Sequence, residues 1–174
     1  MVFIKYHLII FSTDAVDESF DAVIAAQSFH WFANEDSVSE IYRVLKPGGS
    51  FGCIWSNRDL STPWVKEIQE LLEPFYKREK TPDHRDNEWK KKIDKCGNFG
   101  EIHCDNNFRI SVEGGTDTIV GVYMGISAVA AANDTEKEIL VSKIRHILAT
   151  HDSLKDKEIY TLPYITDISW CVKF

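Results

Sequence analysis

The chain has 174 residues, 44% of them apolar, and a formal net charge of −7. That length suits a single domain spanning residues 1–174 with its own core. The acidic balance argues against a nucleic-acid interface, because Lys90-Lys91-Lys92 is the one basic run and reads as the solvated face of a helix.

Residues 2–11, VFIKYHLIIF, are rich in β-branched and aromatic residues and read as a buried strand. Lys5 and His7 interrupt the run, which is too short to span a bilayer. Residues 12–19 are polar and acidic and read as a loop. Phe20 to Ala26 is a short, nearly continuous apolar run, which predicts a strand covered on both faces. Asn34 is placed to cap a helix, with Glu35 and Asp36 in its first turn. Val38, Ile41, Tyr42 and Leu45 recur at helical spacing, Lys46 closes the helix, and Pro47-Gly48-Gly49 stops it. Ser50 to Trp55 is again a short apolar strand, which completes a βαβ unit.

Thr62-Pro63 opens a further helix, with Val65, Ile68, Leu71, Leu72 and Phe75 on its inner face and Pro74 ending or kinking it. A polar stretch leads to a short helix around Trp89 to Ile93, ended by Cys96-Gly97. Phe99 to Val112 reads as strand, with a break at Asn106-Asn107. Gly114-Gly115 is a turn, and Thr118 to Ala132 is helical. Thr135 with Glu138 forms a capping box for the next helix. Glu158 to Val172 is the last strand, and Pro163 in it argues for an edge or a bulge. Alternating strands and helices give an α/β class, with the last two strands pairing antiparallel.

Open α/β sheets bind ligands beyond the carboxyl ends of their parallel strands. Two predicted strand ends meet that rule: Ala26-Gln27-Ser28-Phe29-His30-Trp31 and Trp55-Ser56-Asn57-Arg58-Asp59. Each displays hydrogen-bonding groups beside a large aromatic, so the first strand ends in a candidate site rather than in a turn residue. Cys53, Cys96, Cys104 and Cys171 form no Cys-x-x-Cys pair, and Cys96 with His103 and Cys104 fits no common zinc spacing. Reduced thiols in a cytoplasmic protein, with no metal site, is the reading.

Three stretches in order, ESFDAVIAAQSFHWF, YRVLKPGG and FGCIWSNRD, resemble the second half of a class I S-adenosylmethionine-dependent methyltransferase of the methyltransferase type 11 group. LPYITDISW near the carboxyl end resembles the closing strand of the trans-aconitate methyltransferase-like branch. The resemblance runs from about Asp17 to the end. It implies a partial Rossmann-like sheet, with the family's fourth and fifth strands parallel, an antiparallel carboxyl-terminal pair and flanking helices. It implies S-adenosyl-L-methionine as cofactor, held by Asp14, Ala26, Gln27, Ser28 and Trp31. It implies a small-molecule methyl acceptor beside Trp55, Asn57 and Arg58, with His30 as the catalytic residue. No Gly-x-Gly-x-x-Gly or Asp-x-Gly-x-Gly occurs, so the expectation is a chain that lacks the family's amino-terminal cofactor half.

Each of these residues also has a structural reading. His30 can pack under the next helix, Trp31 and Trp55 can serve the core, Asn57 and Asp59 can cap a helix, and Arg58 can be a surface charge. Gln27 and Ser28 can bond neighbouring loops, and Tyr123 and Tyr164 can lie at the core or the rim of the pocket. The alternative function is an inactive remnant, or a truncated gene product, that binds a partner or itself through an exposed strand edge. Separately, a sheet without the family's first strand would leave Phe20 to Ala26 as an edge, and residues 2–11 are expected to cover it.

Overall fold

The structure is a computed structural model, which describes residues 12–80 and 82–174. The expected strand over residues 2–11, and its proposed role at the sheet edge, lie outside the described residues. Among these, four strands, β1 (Phe20–Ala26), β2 (Leu45–Arg58), β3 (His103–Gly114) and β4 (Tyr160–Val172), form one mixed sheet in the order β1-β2-β4-β3. Between them run α1 (Phe29–Phe32), α2 (Glu35–Val44), α3 (Pro63–Glu79), α4 (Glu88–Cys96), α5 (Thr116–Met124), α6 (Ser127–Ala130) and α7 (Asp134–Thr150). This is the expected α/β class. No helix among the described residues is long and apolar enough to cross a membrane.

The βαβ unit forms as predicted. The Asn34 side chain accepts a hydrogen bond from the Ser37 amide at 2.8 Å, which satisfies an open donor at the start of α2. β1 and β2 are parallel, with Ala22 to Ala26 opposite Ser50 to Ile54. The second strand is longer than predicted. It begins at Leu45, and the register jumps between Phe20 and Ala22, so Lys46 to Gly49 bulge out of the ladder. Gly48 has φ +77°, and a Cβ on Gly49 would meet the Lys46 carbonyl oxygen at 2.8 Å, so both glycines are required there.

Several other expectations need correction. β1 is not covered on both faces: Ala25 is buried, but Ala22, Ile24 and Ala26 are exposed, Ile24 by 65%. The alanine-rich run hides a one-sided strand because small residues carry little periodic signal. α3 runs on through Pro74 to Glu79, since the Glu70 carbonyl that Pro74 cannot serve lies on the exposed side. β3 is continuous through Asn106-Asn107. The predicted helix over 118–132 is two, because Ile126 is extended and breaks it. The capping box of α7 is two residues earlier, Asn133 with Glu136, whose side chains and amides bond each other at 2.9 and 3.2 Å. Pro163 lies on β4, which is internal to the sheet order. Its carbonyl accepts from the Asp59 amide at 2.9 Å, just past the end of β2, where the ladder is finishing.

The chain divides into two compact units, one from the described residues of Met1–Trp55, Pro82–Asn106 and Asp167–Phe174, the other from Ser56–Thr81 and Asn107–Thr166. The first has an aromatic core: Phe29 meets Phe51 edge-on at 5.0 Å, and Trp55 lies 5.0 Å from Trp89. The second is built on the buried faces of α3, α5, α6 and α7, with Ile68, Leu72, Ile119, Tyr123, Ile144 and Leu148 among its buried residues.

Candidate functional site

Asp14, Ala26, Gln27, Ser28, His30, Trp31 and Trp55 belong to the first unit. β1 ends without a glycine because Gln27 itself turns the chain. Its amide donates to the Ile54 carbonyl at 2.8 Å, extending the ladder one residue beyond Ala26, and its φ is then +54°. A left-handed conformation at a residue with a Cβ costs about 1–2 kcal/mol, and such strain gathers at functional sites. Replacement by glycine, Gln27→Gly, is therefore expected to raise stability by about 0.5–1 kcal/mol in urea denaturation. Loss of stability would show that the Gln27 side chain holds the turn.

Ser28 precedes α1 but makes no side-chain cap, and its carbonyl accepts from the Trp31 amide at 2.9 Å. Trp31 is 50% exposed. Asp14 lies in an exposed loop whose neighbours are fixed to α2: Arg43 donates to the Ala15 carbonyl at 2.8 Å and the Thr13 carbonyl at 3.3 Å.

Trp55 is only 1% exposed, and it ties the site together. Its indole N–H donates to His30 Nδ1 at 3.0 Å. His84 stacks flat on it, ring centres 4.7 Å apart and planes 8° from parallel. His30 and His84 are 5.9 Å apart. Burial pushes both imidazoles below their ordinary pKa, and for His30 the nearby His84 pushes the same way. Both rings are then neutral at pH 7. With Nδ1 accepting from Trp55, the His30 proton sits on Nε2, a tautomer assigned from the hydrogen-bond network.

Trp55, His84, Trp89, Lys90, Cys104, Asp167 and Ser169 are among the residues lining a groove of about 370 Å³. Lys90 Nζ donates to Cys104 Sγ at 3.4 Å, and Cys104 lies 3.3 Å from the Ser169 hydroxyl. Of the predicted site residues in this unit, Trp55 lines the groove; Gln27, Ser28, His30 and Trp31 do not. Sequence reasoning missed His84, which sits in a polar stretch with no periodic signal, and it read Lys90 as a solvated charge.

Asn57 and Arg58 belong to the second unit. Asn57 is half-buried and engaged in interactions of its own. Asp59 does not cap α3; its side chain accepts from the Ser61 amide at 3.0 Å in a local turn. Arg58, half-buried at the end of β2, donates to Gln69 Oε1 at 3.1 Å and lies 4.8 Å over the Tyr123 ring.

These positions can be set against known proteins. Residues 9–53 match the family profile described as a methyltransferase domain. That segment holds the whole β1–α2 part of the site, Gln27 to Trp31 included. An uncharacterized methyltransferase of Schizosaccharomyces pombe is 58% identical over 57 residues, 33% of this chain and 23% of that protein. An uncharacterized methyltransferase of Mycobacterium tuberculosis is 27% identical over 154 residues, 86% of this chain and 57% of that protein. The chain thus spans well under two thirds of the length of the curated relatives it matches. The fold is similar to a solved protein from Anabaena variabilis, named as a methyltransferase from an antibiotic biosynthesis pathway. Their TM-score is 0.59 at 14% identity, over 91% of this chain and 70% of that one.

Proposed function

We propose that this chain acts in S-adenosylmethionine-dependent methyl transfer to a small molecule. The observation that carries the reading is the end of β1: a strained Gln27 followed by a hydroxyl, an imidazole and a half-exposed indole, inside the segment that matches the methyltransferase profile. The closing Leu162-Pro163-Tyr164 segment supports a finer placement near the trans-aconitate methyltransferase-like branch.

The residues present suit the cofactor. Ala26 and Gln27 are exposed at the strand end, Ser28 has a hydroxyl not used as a helix cap, and the Trp31 ring face suits a purine or a sulfonium. When bound, the cofactor supplies an electrophilic methyl group. The chain's part is to hold and orient, which supplies most of the gain in such a transfer. In this reading Asp14 sits on a loop braced by Arg43 and meets the adenine amino group. His30 is neutral, its Nδ1 occupied by Trp55, so it orients the acceptor by donating from Nε2 rather than by taking its proton. Trp55 shapes the acceptor's surroundings.

Calorimetric titration with S-adenosylhomocysteine tests the reading. Binding that Gln27→Ala and Trp31→Ala each weaken about tenfold, or 1.4 kcal/mol, is expected; binding indifferent to both substitutions would place the cofactor elsewhere.

A further inference from the structure

The second unit keeps two buried polar atoms without a hydrogen-bond partner, Nε of Arg58 and the hydroxyl of Tyr123. They belong to side chains in contact, since the guanidinium carbon lies 4.8 Å from the centre of the Tyr123 ring. Tyr123 is fully buried, and a phenylalanine would fill the same space without an unsatisfied hydroxyl. Arg58 is a half-buried cation with no carboxylate partner among the described residues, although charges removed from water are ordinarily paired.

Both orphan groups are donors. An arginine Nε–H can only donate. Burial raises the pKa of the Tyr123 hydroxyl, which therefore keeps its proton. One arm of the guanidinium is held in place, because Nη1 donates to Gln69 Oε1 at 3.1 Å. A fixed positive charge with two unused donors is complementary to an oxyanion. Its place at the carboxyl end of β2 is where open α/β sheets bind ligands.

We propose that Arg58 and Tyr123 form a binding site for an anionic group, a carboxylate or a phosphate; this site does not rest on the methyl-transfer reading.

The test is thermal unfolding of the full chain titrated with citrate or with inorganic phosphate, without cofactor, against sodium chloride at matched ionic strength. The expected result is a saturable rise in Tm with at least one of the two anions, and the one that acts identifies the group as carboxylate or phosphate. Tyr123→Phe and Arg58→Lys should each weaken the apparent affinity about tenfold or more. Without anion, Tyr123→Phe should melt at the same temperature as the parent or higher. No saturable shift with either anion, or a shift unchanged in both variants, overturns the proposal. So does a lower Tm for Tyr123→Phe alone, since the hydroxyl would then already have a partner such as a structural water. Because no cofactor is present, none of these failures touches the methyl-transfer reading.

Discussion

Replacing Trp55 with alanine should lower the free energy of unfolding by about 3–5 kcal/mol, measured by urea denaturation at neutral pH. The residue is buried, packed by His84 on its face and by Trp89 beside it, and its indole N–H is the donor that fixes His30. Trp55→Phe separates packing from hydrogen bonding and should also change the pH dependence. Burial lowers the pKa of His30 and His84 from 6.5; Asp83 and Asp86 pull both upward without reversing the shift, as does Asp167 for His84. As pH falls below the unfolded value of about 6.5, the unfolded chain takes up protons that the folded chain resists. The stability these rings contribute is thus complete above that pH and is lost as pH falls through it toward the folded values. Trp55→Phe frees Nδ1 of His30, so its stability should fall less between about pH 7.5 and 5.5. Stability that rises on acidification through this window would contradict the assigned tautomer.

The second large effect is expected at Glu40. Its buried carboxylate accepts four hydrogen bonds: from the Thr13 amide at 2.6 Å, the Thr13 hydroxyl at 2.7 Å, and Arg43 Nε and Nη2 at 2.8 and 2.7 Å. The Arg43 guanidinium, with help from Thr13, holds its pKa at about 2. Glu40→Gln removes the charge and turns an N–H group toward donors, and should cost about 2–3 kcal/mol. Because the folded pKa is depressed, this stability is present above about pH 4.5 and is lost as pH falls toward 2 in the parent but not in the variant. The same substitution releases the loop from Thr13 to Asp17, so the Thr13 amide should exchange with solvent faster. Unchanged exchange would show that Arg43 alone holds the loop beside Asp14.

The sequence made the βαβ unit legible because its signals are local and agree with one another. Asn34 with two acids marks the start of α2, and Pro47-Gly48-Gly49 forces the chain to turn. Where two local patterns compete, tertiary context decides. Thr135 with Glu138 and Asn133 with Glu136 both fit a capping box, and the helix begins where Asn133 can cap it. Pro74 looks like a terminator, but its missing hydrogen bond falls on the solvent side. The candidate site shows the same division. That the chain displays polar groups after β1 was readable, whereas the left-handed turn at Gln27 was not, since nothing in a glutamine side chain announces a positive φ. His84 meets Trp55 across 29 positions of chain, and only the fold brings them together. Arg58 could be read as a surface charge or as an anion holder, and its half-burial over the ring of a buried tyrosine was not legible in the sequence.

The central claim is that the end of β1 holds a methyl-donor cofactor, and calorimetric titration of the folded chain with S-adenosylhomocysteine tests it most directly. Saturable binding in about the micromolar range, lost in parallel in Gln27→Ala and Trp31→Ala, is the predicted result. A folded sample, verified by its cooperative urea transition, that gives no binding heat across a range of temperatures would contradict the claim.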